Sequence, residues 1–402
     1  MLERPQPTGS DRVLLVGVYE RGDRLGPDLR LDELASLVEA AGGNVVGRTF
    51  QFCNRGRTAV HPSTFVGRGK ASHVGELAEA NEANAVVFDN ELSPAQIREL
   101  ERIVGCKVLD RSELILDIFA GRARTREARL QVELAQLEYT APRLRGMWTH
   151  LERQAGTTGP LGMRGPGEKQ IEIDRRLVGQ RIARLKREIA TIHGRREREV
   201  QARVDRHFCV GLVGYTNAGK STLMNAVTNA ETYAANKLFA TLDTKTRSWQ
   251  PRPGVEVMLS DTVGFVRDLP HYLVASFRAT LEEALGADLL LHVIDGAHPQ
   301  ALEQVATVDE VLEELGCDTS KMVAVLNKAD AITEESELAA LRARLKRSVV
   351  VSAVTGEGLS ELADLVVEEF RAAGARLRLQ ASAGSGQLIA FVRANGCLLY
   401  TS

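Results

Sequence analysis

The chain has 402 residues, 44% hydrophobic and 26% charged, with a net charge of −2, an ordinary folded composition that excludes a disordered or fibrous protein. No run approaches the ~18 uninterrupted apolar residues of a membrane helix, and the first residues lack the apolar stretch of a secretory leader, so a cytoplasmic location is expected. The five cysteines (Cys53, Cys106, Cys209, Cys317, Cys397) are scattered without C-x-x-C spacing or a His cluster, which excludes a disulfide framework or a zinc site.

Residues 11–120 alternate short apolar runs with segments of helical period. The pattern predicts strands at 13–19, 44–50, 84–90 and 106–110, with helices at 31–42, 70–80 and 93–104, which is the rhythm of a parallel α/β subdomain. Ser93-Pro94 marks a helix start, a capping hydroxyl followed by a residue with preset φ.

Residues 121–206 change period. Leu130, Leu134, Leu137, Ala141 and Leu144 step by four and three, and Val178, Ile182, Leu185, Ile189 and Ile192 repeat the stepping, so two apolar seams predict an antiparallel, coiled-coil-like helical hairpin. Pro142 ends the first helix near Ala141. Between the seams lie Gly156, Gly159, Gly162, Gly165 and Gly167 with Pro160 and Pro166, a loop with no basis for helix or strand. This region holds 20 basic and 11 acidic residues, a local +9, against −11 for the remainder. Such a patch fits a nucleic-acid footprint, and equally a solvated helical pair.

From 207 to 371 the α/β rhythm resumes, with strands expected in FCVGLVG, VEVMLSD, ADLLLHVID, KMVAVLNKAD and SVVVSA. The tail, 372–402, is expected to be a short or truncated module. Gly214, Tyr215, Thr216, Asn217, Ala218, Gly219, Lys220 and Ser221 form G-x-x-x-x-G-K-S after a strand, and Thr222 continues into a helix-period run. There, backbone amides wrap phosphates, Lys220 places charge on the β/γ-phosphates and Ser221 offers a hydroxyl to Mg²⁺. Asp261 opens D-T-V-G at a strand end, where it can hold Mg²⁺ through water and the Gly264 amide can meet a γ-phosphate. Asn327-Lys328-Ala329-Asp330 closes another strand. The Asp330 carboxylate can accept from guanine N1–H and the exocyclic amine, which adenine lacks, leaving that carboxylate underpaired. Ser352-Ala353 suits a backbone contact to the guanine O6.

Together these motifs resemble the Ras-like, translation-factor-related GTPases. The resemblance implies GTP and GDP as ligands, Mg²⁺ as cofactor, and a Mg²⁺-coordinating switch I threonine, for which Thr241 is chosen over Thr244 and Thr246. Where Ras-like proteins carry a water-orienting Gln, this chain has Phe265, read as an apolar anchor for switch II, so no catalytic side chain is assigned and slow unaided hydrolysis is expected. Asn217 resembles the residue that binds K⁺ in hydrophobic-substituted GTPases, which makes K⁺ a second expected cofactor.

Gly165-Pro-Gly-Glu-Lys-Gln-Ile-Glu-Ile-Asp-Arg-Arg176, with FVGRGK at 65–70, DTVGF and NKAD, resembles the HflX family of bacterial GTPases over residues 11 to 370. That resemblance implies a monomeric protein that binds the large ribosomal subunit and its RNA and separates stalled or stress-inactivated ribosomes. Arg143, Arg145, Trp148, Arg153 and Arg164 are then the candidate RNA contacts. The alternatives are a nucleotide-gated RNA-binding or ribosome-assembly module with incidental hydrolysis, and a second nucleotide site in the N-terminal subdomain around VGRGK.

Overall fold

The computed structural model describes residues 11–21, 26–54, 60–143, 166–204, 207–228, 238–239, 244–268, 286–317, 319, 322–332, 335–345, 347–373, 386–387 and 390; in 166–174, 196–197, 199–204 and 335–337 it describes the backbone alone. The chain divides into two compact units, one of residues 1–192 with 237–239 and 269–276, the other of 193–236 with 240–268 and 277–402.

In the first unit, β1 (Arg12–Glu20), β2 (Asn44–Cys53), β3 (Ala85–Phe88) and β4 (Lys107–Asp110) make one sheet in the order β2-β1-β3-β4, parallel throughout. Helices α1 (Pro27–Ala41), α2 (Arg68–Ala80) and α3 (Pro94–Val104) connect the strands, followed by α4 (Arg111–Arg122) and α5 (Arg126–Thr140). α2 packs with α3 and α1 with α4, one pair to each face as right-handed crossovers require. β1 is buried along nearly its whole length, as a central parallel strand covered on both faces must be. Ser93 caps α3 in a full capping box, its Oγ accepting from Gln96 N while Gln96 Oε1 accepts from Ser93 N.

A long helix, α6 (Pro166–Val204), follows. Its apolar row Ile182, Leu185, Ile189 and Ile192 meets Leu130, Leu134 and Leu137 of α5, the seam that the heptad stepping predicts. Arg181 grips Glu133 with two nitrogens at 2.8 and 2.9 Å, and Lys186 reaches Glu138 at 2.8 Å. Pro166 and Gly167, expected in the Gly-rich loop, instead open α6, where a proline in the first turn gives up no helical hydrogen bond; the rest of that stretch with Arg145, Trp148, Arg153 and Arg164, and the switch I choice Thr241, lie outside the described residues.

The second unit is a six-stranded sheet in the order β10-β9-β8-β5-β7-β6. β5 (Phe208–Val213), β7 (Val255–Asp261), β8 (Leu289–Asp295), β9 (Met322–Asn327) and β10 (Ser348–Val350) run parallel, while β6 (Lys245–Arg252) pairs antiparallel with β7 at the edge. Helices α7 (Lys220–Thr228), α8 (Ala301–Glu314), α9 (Glu335–Arg344) and α10 (Leu359–Ala373) complete the unit. Val210, Leu212, Val257, Leu291, Val293, Val323 and Val325 fill its core with Leu223 of α7 and Val366 of α10. In such a sheet ligands bind beyond the carboxyl ends of the strands, and there the predicted nucleotide motifs sit. No described helix is long and apolar enough to cross a membrane.

Candidate nucleotide site

The loop from Gly214 to Gly219 leaves β5 and enters α7 at Lys220. Gly214 has φ +147°, and a Cβ there would lie 2.2 Å from the Val293 carbonyl of β8; Gly219, at φ +94°, leaves the same clearance from Asn327 Nδ2. Side chains at either place would drive the loop off the neighbouring strands, so these two glycines set its shape. Asn217, at φ +62°, is exposed at the loop's tip, in the left-handed region that Asn tolerates.

Lys220 is buried at 6% exposure, and its Nζ donates to the carbonyls of Gly214 at 2.9 Å and Tyr215 at 2.8 Å. Burial pulls its pKa down to about 8, with the Asp261 charge opposing the shift. A desolvated ammonium held beside a helix N-terminus favours an anion. Ser221 Oγ donates to Asp261 Oδ2 at 2.6 Å, and Asp261 is wholly buried at the end of β7. Two oxygen donors of the kind Mg²⁺ prefers therefore already face each other. Among the described residues no cluster of three His, Cys, Asp or Glu side chains could hold a metal.

The DTVG segment lies against the phosphate loop. Phe265 N donates to Gly214 O at 3.1 Å, Thr216 N donates to Phe265 O at 2.7 Å, and Arg267 N donates to the Tyr215 hydroxyl at 2.7 Å. A Cβ on Gly264 would stand 2.7 Å from Thr216 Cγ2 and 2.9 Å from Lys220 Nζ. The Phe265 side chain is 2% exposed, packed away as an apolar anchor while its backbone ties switch II to the loop.

At the base-binding side, Asn327 Nδ2 donates to Ala218 O at 2.9 Å and its Oδ1 accepts from Ala353 N at 3.0 Å. Asn327 thus braces the phosphate loop against the loop after β10, and the Ala353 amide expected at the base is engaged with Asn327 instead. Asp330 is exposed on a 3₁₀ turn and accepts from Ser352 Oγ at 2.5 Å, so a bound guanine would have to displace that hydroxyl or share the carboxylate with it. Lys328 occupies the left-handed region at φ +65°, and its Nζ meets Asp295 Oδ2 at 2.6 Å.

Two residues escaped the sequence reading. Asp295, last in β8, holds Lys328 and accepts from Ala297 N at 3.2 Å; an acidic residue closing a mostly apolar strand was its signal. His292 is 2% exposed and pushed down to about 3 by burial and then by the Lys220 charge, so it is neutral and keeps competing charge out of the loop's floor. Nothing in the sequence marked it.

Thr246, a rival to Thr241, lies in β6 with its hydroxyl 3.0 Å from Ser260 Oγ, joined to the sheet rather than turned to a phosphate. One expectation needs correction. Arg143 was expected at RNA, but its guanidinium donates to Asp110 Oδ2, Leu92 O and Tyr139 O, each at 3.0 Å, and lies over the Tyr139 ring. A guanidinium held by a buried carboxylate and two carbonyls serves the fold.

Comparison with known proteins agrees with this geometry. Residues 28–120 match the family model "GTP-binding GTPase N-terminal", 122–203 match "GTP-binding GTPase Middle Region", and 209–328 match "50S ribosome-binding GTPase". GTPase HflX of Escherichia coli (strain K12) is 44% identical over 380 residues, covering 94% of this chain and 87% of that protein. The chain belongs to the HflX family of GTPases. GTPase HflX of Lacrimispora saccharolytica is 46% identical over 357 residues, covering 89% of this chain and 82% of that one. A GTP-binding protein from Sulfolobus solfataricus, solved with GDP, is 23% identical and covers 90% of this chain and 99% of its own with a TM-score of 0.45. As a member of the family the chain is a GTPase, in a class that generally uses Mg²⁺.

Proposed function

We propose that this GTPase binds the large ribosomal subunit and separates stalled or stress-inactivated ribosomes, with hydrolysis timing its release. The observation that carries the reading is the match of residues 209–328 to the 50S ribosome-binding GTPase model, over a site whose Asp330 suits guanine. The +9 of residues 121–206 supports it, because a basic surface favours ribosomal RNA by phosphate neutralisation. Arg145, Trp148, Arg153 and Arg164 are the candidate RNA contacts, and Arg143 serves the fold instead.

In the nucleotide complex Ser221 and Thr241, with Asp261 acting through water, would hold Mg²⁺, which would supply positive charge against the phosphates. Asn217, exposed at the loop tip, is the K⁺ ligand. Since the Phe265 side chain is buried, no side chain at the usual glutamine position orients water, so unaided turnover is slow and the ribosome stimulates it. GTP favours the ribosome-bound form, so nucleotide and ribosome affinities are reciprocally coupled. The protein acts as a cytoplasmic monomer.

GTP turnover in K⁺ and Na⁺ buffers, with and without purified large subunits, tests this together with cosedimentation under a non-hydrolysable analogue and sucrose-gradient profiles of intact ribosomes. Stimulated turnover, GTP-dependent cosedimentation and a shift from whole ribosomes to subunits are expected. Binding without splitting would favour the RNA-binding or assembly module, and equal rates in the two buffers would remove K⁺.

A further inference from the structure

Thr216 lies in the middle of the phosphate loop, 6% exposed. Its amide is committed to Phe265 O at 2.7 Å, yet its hydroxyl oxygen is buried with no hydrogen-bond partner among the described residues. Around it the loop's other polar groups are engaged: Lys220 Nζ with two carbonyls, Ser221 Oγ with Asp261, Asn327 Nδ2 with Ala218 O. Buried hydroxyls are nearly always paired, because an unpaired one forfeits its bonds to water. Unsatisfied polar groups are tolerated where a ligand or a reaction will use them.

The position of Thr216 identifies the use. A Cβ built on Gly264 would be 2.7 Å from Thr216 Cγ2, 2.8 Å from Thr216 Cα and 2.9 Å from Lys220 Nζ. The Gly264 amide and the Lys220 ammonium are the groups that meet a γ-phosphate in this class of site, and Thr216 and the Lys220 ammonium both crowd the open side of Gly264. The residue after Gly264, where a glutamine would supply a polar side chain, is the buried Phe265.

We propose that Thr216 is a catalytic residue for GTP hydrolysis, its hydroxyl donating a hydrogen bond to a γ-phosphoryl oxygen that gains charge in the transition state. In that step the water oxygen forms a bond to the γ-phosphorus and the bond from that phosphorus to the β–γ bridging oxygen breaks. The electron pair stays on GDP, and the water's proton passes to the released phosphate or to solvent. Thr216 neither gains nor loses a proton. The bond from its amide to Phe265 holds it in place, so the anchor at the glutamine position positions the hydroxyl that takes over part of the glutamine's task. The inference rests on the GTPase activity alone and is independent of any ribosome partner.

The test uses the full chain without ribosomes, in single-turnover GTP hydrolysis. Thr216→Val keeps the shape and removes the hydroxyl, Thr216→Ala removes both, and Thr216→Ser restores the hydroxyl without the methyl. Loss of a preorganised donor slows chemistry by about 10²-fold. Valine and alanine variants should fall by that order while binding GDP within about twofold of the parent, and serine should stay within about threefold. Trapping of GDP with aluminium fluoride, a transition-state mimic, should weaken in the valine variant and persist in the serine variant, which a packing role would not produce. Valine turning over like the parent, serine and valine falling equally, or GDP and GTP affinities dropping together with the rate would each overturn the proposal.

Discussion

The carboxyl ends of the two parallel sheets treat their polar groups in opposite ways. Beyond β3 and β4, Asp89 receives the Tyr19 hydroxyl at 3.1 Å and Arg111 at 2.8 Å, and Arg111 also grips Glu33 at 2.8 Å. Asp110 takes Glu113 N and the Tyr139 hydroxyl on one oxygen, Leu92 N and Arg143 on the other. Both oxygens of Asp89 and of Asp110 have internal donors, and burial next to these anions pushes the Tyr139 hydroxyl up, so it stays a neutral donor. Beyond β5 and β7, by contrast, Lys220 rests on two carbonyls, Asp261 takes the Ser221 hydroxyl at 2.6 Å and the Thr216 hydroxyl has no partner among the described residues. The first end spends its carboxylates on internal cations and hydroxyls and so stabilises a fold, whereas the second sets a buried ammonium beside a glycine-shaped loop at a helix N-terminus, which suits an anion. This argues against a second nucleotide site in the N-terminal unit, where Lys70 of the VGRGK stretch is turned onto Thr49 Oγ1 at 2.5 Å.

Exchanging what is removed tests that contrast most severely. Arg111→Met strips a 3%-exposed guanidinium from the 2%-exposed Asp89 side chain and leaves a buried charge unpaired, a loss of about 3–5 kcal/mol. At about 2–4 °C per kcal/mol for a unit of this size, the expected outcome is a Tm lower by roughly 6–20 °C with hydrolysis per folded molecule unchanged. Lys220→Ala should do the reverse, cutting turnover about 10²–10³-fold while Tm stays level or rises, since a desolvated ammonium is being removed. Scanning calorimetry beside a phosphate-release assay decides, and the contrast fails if both variants lose stability and activity alike.

The second test is pH. Lys220 titrates at about 8 in the free protein against an ordinary 10.5. The native state therefore holds fewer protons than the unfolded one between these values, and unliganded stability rises with pH across that window. Bound phosphates favour the charged form, so binding takes up a proton above pH 8 and none well below it. GTP affinity should be flat from pH 6.5 to 7.5 and fall toward pH 9, by at most about tenfold per unit. Calorimetry in two buffers of different ionisation heat at pH 7 and 9 checks this, and Lys220→Arg should abolish the slope.

The phosphate loop was legible because its chemistry is contiguous: eight neighbouring residues carry the whole anion cradle. The seam of α5 and α6 was legible because a heptad is a local pattern with one physical outcome. The closed end of the first sheet was not, since it joins Asp89 to Arg111 and Asp110 to Arg143 across 22 and 33 residues, and Arg143 beside a Gly-rich loop looked like an RNA contact. Strand β6 was missed because KTRSWQPR has few apolar residues and a proline, the marks of an edge strand, which needs no second buried face. Asp295 and His292 were hidden for another reason: they act on Lys328 and the floor below Lys220 rather than on nucleotide, so no motif spacing records them.

Asp295 offers a milder test of the open end. Its contact with Lys328 at 2.6 Å is half-buried, with the lysine 28% exposed, so Asp295→Asn should release the lysine from the base side at a cost of about 1 kcal/mol. GTP and GDP affinities should both fall about fivefold in fluorescent-nucleotide titrations with the single-turnover rate unchanged. A change in rate without one in affinity would move Asp295 into the chemistry.

The smallest effect separates the two ends one hydroxyl at a time. Tyr139→Phe removes a buried donor from Asp110 Oδ1, which keeps the Glu113 amide on the same oxygen and Arg143 on its other one, so about 1 kcal/mol of stability should go, with no change in hydrolysis. Thr216→Val removes a hydroxyl that has no described partner and replaces it with a methyl of the same shape, so stability should be level or higher by up to about 1 kcal/mol. Denaturant midpoints of the two variants, compared at equal slope, should therefore move in opposite directions or one alone should move. Two equal losses would mean that the Thr216 hydroxyl is bonded in solution, and that the open end is closed until nucleotide arrives.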